Sequence, residues 1–189
     1  GNIRVILGSA GAIDTATRMI DLGQWRVGEA YYWRAWNYLL LGDYTVARQD
    51  ADRARTMMAN AAVFVLSGTI EWRLRRLETA EQEFQQALTM DLGECEAAFN
   101  LAVVRDELGN QPGSLAAFRQ AQQCYDLSIK LRREAIARIM GGAGTETAKA
   151  RAAAVHERVL VDLAERMEEI APAISVLEKL EASPLQALA

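Results

Sequence analysis

Few residues in this chain could do chemistry. His156 is its one histidine, set in the helix-like run AAAVHERV. A single imidazole makes neither a proton relay nor a metal site without a nucleophile, a carboxylate or further ligands at matching spacing. It reads as a surface or packing residue. Gly141-Gly142-Ala143-Gly144 has the glycine content of a phosphate loop. It follows a helical run instead of a strand, however, and no Lys-Ser or Lys-Thr pair comes after it, so it reads as a turn. Glu168-Glu169 and the acids from Glu78 to Glu83 fall at helical spacing with no metal-ligating companion. They read as solvated helix faces. No nucleophile, base and orienting group stand together, which makes the expectation a non-enzyme with no catalytic residue, cofactor or metal.

Cys95 and Cys124 carry the remaining chemistry. They lie about equally far on either side of Gly109-Asn110, so antiparallel helices meeting at that turn would bring both to one end. A disulfide is then geometrically available and would point to an oxidising compartment such as the periplasm or cell envelope, with the cytoplasm as the alternative. Two buried thiols acting as small hydrophobes are the other reading.

The elements that hold these residues repeat. Ala47, Ala80 and Ser114 form one series at a spacing of 33 to 34 residues. Ala51, Phe84 and Phe118 form a second, and Ala54, Ala87 and Ala121 a third. Small residues seven apart lie on one stripe of a helix and let two helices approach closely. A period of this length belongs to stacked helical hairpins, none of which buries its apolar face alone.

The segment GEAYYWRAWNYLLLGDYTVARQDADRA resembles a tetratricopeptide repeat. Tyr31, Ala35 and Tyr38 stand at the first helix's packing positions, Gly42-Asp43-Tyr44 at the turn, and Ala47 and Ala54 on the second helix. Phe64, Gly68, Ala80, Phe84 and Ala87 match in the next unit, with Arg75 in place of the turn glycine. Leu101, Ala102, Gly109-Asn110, Phe118 and Ala121 match in the third, with Ser114 in place of alanine. The resemblance implies an all-α solenoid, a right-handed superhelix of three repeats over residues 28–126 that holds proteins or peptides in its concave groove, with no cofactor and no reaction.

Flanking segments read as helical too. After the Gly-rich GSAGA stretch, Ala12 to Leu22 reads as a helix, with Ile13, Ala16, Met19 and Ile20 at helical spacing and Gly23 a fitting cap, so residues 1–27 hold either the second half of an incomplete repeat or a capping helix. From Ser114 to about Met140 apolar residues keep the helical period. Thr145 is a fitting N-cap for a second long helix through Val155, Val159, Leu163 and Met167, with Pro172 near its end. Residues 127–189 are thus expected to add capping helices in a long hairpin, followed by a tail.

Composition narrows the partners. A net charge of −4 and a pI near 5.2 argue against nucleic acid, whose phosphates require a basic surface. No run of 18 apolar residues is present, so no spanning helix is expected. GNIRVILGSAG has neither an initiator Met nor the charged start of a signal peptide, and the expectation is a piece of a longer or processed protein.

In the resembled family the groove is lined by the first helix of each unit. Here that implies Tyr32, Trp36 and Leu39, then Val65, Thr69, Trp72 and Arg73, then Phe99, Val103 and Asp106 as partner-binding residues. The Lys, Asn and Arg with which chaperone adaptors clamp a C-terminal carboxylate are missing from Tyr32, Trp36, Val65, Thr69, Phe99 and Val103. Three readings stay open: a scaffold binding an apolar peptide or amphipathic helix, with Trp36 and Trp72 as anchors; a groove filled by the protein's own terminal helices; and a structural subunit of a larger assembly, with a neighbouring chain against it.

Overall fold

The computed structural model describes residues 3–23 and 26–182, which form helices joined by turns. The helices are α1 (Ile3–Asp21), α2 (Val27–Leu41), α3 (Tyr44–Met57), α4 (Ala61–Arg73), α5 (Leu77–Met90), α6 (Cys95–Glu107), α7 (Gln111–Gly141) and α8 (Glu146–Glu181). They fall into two compact units, Gly1–Gly109 and Asn110–Ala189.

Side-chain oxygens start several helices by accepting a hydrogen bond from an otherwise orphaned backbone N–H. Asp43 caps α3 through Val46 N (3.3 Å) and Asn60 caps α4 through Val63 N (3.1 Å). Asn110 caps α7 through Gly113 N (3.0 Å), and Thr145 caps α8 through Ala148 N (3.3 Å), as its position predicts. The turns after α2 and α4 share one bonding pattern. Gly42 N donates to Leu39 O and Asp43 N to Tyr38 O; Arg75 N donates to Trp72 O and Arg76 N to Glu71 O. This closure needs a left-handed residue. Gly42 adopts it at φ 84° and Arg75 at φ 61°, so the second turn keeps its shape at a cost of about 1–2 kcal/mol for a side chain in that region.

Within the first unit, α2 pairs with α3 and α4 with α5 as hairpins, while α1 packs on α2, α3 on α4 and α5 on α6. The small residues of the repeat series set the spacing. Ala35, Ala47, Ala54, Ala80, Ala87 and Ala102 are all fully buried. Gly68 stands at the position of Ala35 and Ala102, and a Cβ there would lie 2.8 Å from the Phe84 ring. Ala35, Leu39, Ala47 and Ala51 of the first hairpin close over Leu66 and Ile70 of α4. Burying the latter two contributes about 1.5–3 kcal/mol each. One ion pair ties three helices together: Arg34 of α2 grips Asp50 of α3 with two bonds (2.7 and 2.8 Å) and donates a third to Thr17 Oγ1 of α1 (3.1 Å).

The second unit is two long helices of 31 and 36 residues packed along each other. Two expectations need correction. The N-terminal helix begins at Ile3, not Ala12, and runs through Gly8 and Gly11. Likewise α8 does not finish near Pro172 but continues to Glu181. Its apolar spacing outlasts the proline, since Ile170, Ile174 and Leu177 are buried on one stripe while Pro172 faces solvent.

Replacing Ala80 by Leu is expected to lower stability by about 1–3 kcal/mol through overpacking, with the helical signal kept. Urea melts followed by circular dichroism measure this. An unchanged midpoint would mean that Ala80 does not set a helix–helix distance.

Candidate functional site

The ten residues of the expected groove all lie on the first helices. Tyr32, Trp36 and Leu39 belong to α2; Val65, Thr69, Trp72 and Arg73 to α4; Phe99, Val103 and Asp106 to α6. Because α2 meets α4 and α4 meets α6 directly, these helices form one continuous layer. Along it Leu39, Val65 and Phe99 are buried. Tyr32, Trp36, Thr69, Trp72 and Val103 are half-buried, and Arg73 and Asp106 are exposed. The layer therefore has an apolar floor with aromatic rings partly available above it. Tyr32 and Trp36 also rest on the hydrophobic cluster beneath them, so they have a packing duty besides any contact they make with a ligand.

Polar neighbours orient the rings. The Trp72 indole N–H donates to Glu107 Oε1 (2.8 Å), whose other oxygen takes Arg75 Nη1 (2.6 Å). The Arg73 guanidinium lies 5.3 Å from the Trp72 ring centroid, within cation–π range. Thr69 spends its hydroxyl on Val65 O (2.8 Å). Glu107 was not among the expected residues. Nothing in the repeat marks it, because its role depends on the ring of Trp72, 35 residues earlier.

Charge reaches across the layer. Burial pushes the Tyr32 hydroxyl up from its ordinary range, and the negative charge of Glu94 adds to it. Glu94 immediately precedes α6, so α2 and the start of α6 lie close enough for that charge to be felt. The Glu94 carboxyl is itself raised, first by burial and then by Asp91 and Glu96.

Elsewhere the chemistry stays thin. His156 is half-buried on α8 and its Nδ1 has no hydrogen-bond partner. Among the described residues no three His, Cys, Asp or Glu side chains gather as a metal site would require, and no described helix is long and apolar enough to cross a membrane. Cys95 and Cys124 are each disulfide-bonded and neither is a free thiol, which removes the reading of both as buried thiols.

Residues 65–129 match the family model of the tetratricopeptide repeat. That stretch of the chain carries the tetratricopeptide repeat. Among solved structures it is similar to MamA, at 13% identity over 95% of this chain and 94% of that one, with a TM-score of 0.59. It is also similar to YrrB, described as a TPR protein with an unusual peptide-binding site, at 16% identity over 94% and 86% of the two chains and a TM-score of 0.55. PcrH in complex with the chaperone binding region of PopB aligns at 21% identity over 55% of this chain and 85% of PcrH, with a TM-score of 0.53. At such identities the likeness is one of fold. No curated protein matches the sequence.

The repeat layer yields a pH-dependent prediction. The proton affinity of Glu94 is raised on folding, so its favourable contribution is present below the unfolded carboxyl pKa, about 4.3, and is lost as pH rises through the higher folded value. Glu94→Gln should therefore raise the Tm at neutral pH and leave it unchanged below about pH 4. A variant that melts lower at neutral pH would show that the carboxylate stabilises the fold. A thiol count on the unreduced, denatured protein should give zero; two free thiols would contradict the bonded state.

Proposed function

We propose that this protein is a non-catalytic interaction scaffold that binds an apolar peptide or an amphipathic helix of a partner protein along the layer of α2, α4 and α6. The observation that carries this reading is the half-exposed row of Tyr32, Trp36, Thr69, Trp72 and Val103 above a buried apolar floor. Large rings held in place by their surroundings supply contact area at little entropic cost, and Trp and Tyr are enriched among residues that dominate interface energies. Orientation of Trp72 by Glu107 and Arg73 prepares it for that use. With hydrophobic or aromatic side chains at five of the six positions where a carboxylate clamp needs Lys, Asn or Arg, and Thr69 at the sixth, affinity rests on apolar burial. Two similar structures accord with this: PcrH holds a segment of PopB, and YrrB is described by its peptide-binding site.

Role and location follow as part of the same proposal. The bonded cysteines fit an oxidising compartment, and a chain with no catalytic constellation fits a subunit that recruits or holds another protein.

Selection of amphipathic peptides from a displayed library against the intact protein tests this reading. Trp72→Ala or Trp36→Ala is expected to weaken the selected peptide's binding by about 2 kcal/mol or more, with the helical signal kept. If these rings are core instead, the same changes cost about 3–5 kcal/mol of stability. Selected peptides whose binding ignores both substitutions would move the interaction surface elsewhere and overturn the assignment.

A further inference from the structure

Of the three turns that close α2, α4 and α6, only the second has a side chain at its left-handed residue. Gly42 and Gly109 stand at φ 84° and 77°, and Arg75 between them at φ 61°. Glycine adopts this conformation freely, whereas arginine is strained in it. The Arg75 guanidinium bonds Glu107 Oε2 of the next first helix (2.6 Å), but its side chain is 70% exposed, and so exposed an ion pair offsets little of the strain. Stability alone does not account for arginine here. Backbone strain kept where an unstrained residue is available points to a role in function.

The pairing is particular to this place. Two residues before the left-handed position stands Glu107 in the third unit and Arg73 in the second. One unit earlier the corresponding pair is therefore Gly42 and Arg73, where a second arginine would oppose a like charge. Glu107 carries the effect of Arg75 to the layer, because its other oxygen accepts the indole N–H of the half-buried Trp72 (2.8 Å). When an apolar side chain closes over that ring, water leaves, and an indole N–H without a protein acceptor would be left unsatisfied. Glu107 supplies the acceptor beforehand. Covering its carboxylate at the same time is costly unless the charge is paired, and Arg75 supplies the pair.

We infer that Arg75 is a positioning residue for partner binding: by compensating Glu107 it lets the Glu107–Trp72 bond persist beneath an apolar side chain of the ligand. This rests on the reading of the α2, α4 and α6 layer as the binding site, and it sharpens the chemistry of that site. The ligand meets Trp72 with an aliphatic or aromatic side chain and not with a hydrogen-bond acceptor, because the indole N–H is already taken. A strained arginine is thereby kept where glycine would fit the turn more easily.

The probe is an amphipathic peptide selected from a displayed library against the intact protein and shown to lose affinity on Trp72→Ala. Arg75→Gly, which installs the residue found at the other two turns, is expected to keep or raise the Tm while weakening this peptide at least about tenfold, the scale of a hydrogen bond to a charged group. Adding Glu107→Gln, which keeps an acceptor for the indole and needs no counter-charge, is expected to restore the affinity. A residue with a merely structural role would not move stability and binding in opposite directions. Wild-type affinity in Arg75→Gly overturns the inference and leaves the binding layer standing. A Tm that falls in step with the affinity, or a double variant that stays weak, overturns it as well. If no selected peptide depends on Trp72, the layer itself is not the site and both readings fall.

Discussion

The first unit depends on how closely its helices approach. Helices that cross with large residues at the contact stay some 10 Å apart, and only small ones allow closer packing, at about 8 Å. Here Ala35, Gly68 and Ala102 take the contact position on successive first helices, and Ala47, Ala54, Ala80 and Ala87 do so on the second helices. Gly68 marks the tightest point, since the Phe84 ring occupies the space that a Cβ would need. Large side chains are then packed between hairpins, where Leu66 and Ile70 reach the preceding pair. Close pairing within a hairpin and apolar filling between hairpins are thus two consequences of one pattern.

Polar residues follow that pattern and do not compete with it. Asp50 is buried but held by both arms of Arg34, and Glu71 is buried between Arg48 and Arg76. A buried carboxylate left without its partner is strongly destabilising, so these pairs constrain which helices meet more than they add net stability. The Arg34 group illustrates this. By bonding Thr17 as well as Asp50 it joins α1 to the same hairpin that α3 completes.

Much of this was legible in the sequence because a repeat reports the same physical requirement three times. The helix pairs, the turns at Gly42, Arg75-Arg76 and Gly109-Asn110, and the long helices after Asn110 stand where periodicity and capping residues predict. Two boundaries did not. The apolar spacing places the first helix after Gly8 and Gly11, each of which costs a helix about 1 kcal/mol, yet α1 continues through them. Pro172 read as a terminator, yet buried Ile174 and Leu177 carry the helix onward. At Pro172 tertiary burial outweighs local propensity. At the candidate site the sequence supplied the rings but not their partners: the Glu107 bond to Trp72 joins residues in different repeats, and no local spacing announces it.

The same reasoning separates the aromatics that the repeat requires from those that it does not. Phe84 and Phe118 recur at one repeat position and are buried, as a packing role demands. Trp36 and Trp72 occupy different positions of their helices, so neither is dictated by the repeat, and both remain half-exposed. A solenoid needs its repeated residues for stacking, and its unrepeated ones are free to vary with the ligand. Tryptophan is a costly choice for a solvated surface that nothing covers, since exposed apolar area favours association. Its presence at two unrepeated positions of the α2, α4 and α6 layer is the feature on which the proposed binding role rests, with Trp36 also packing on the core beneath it.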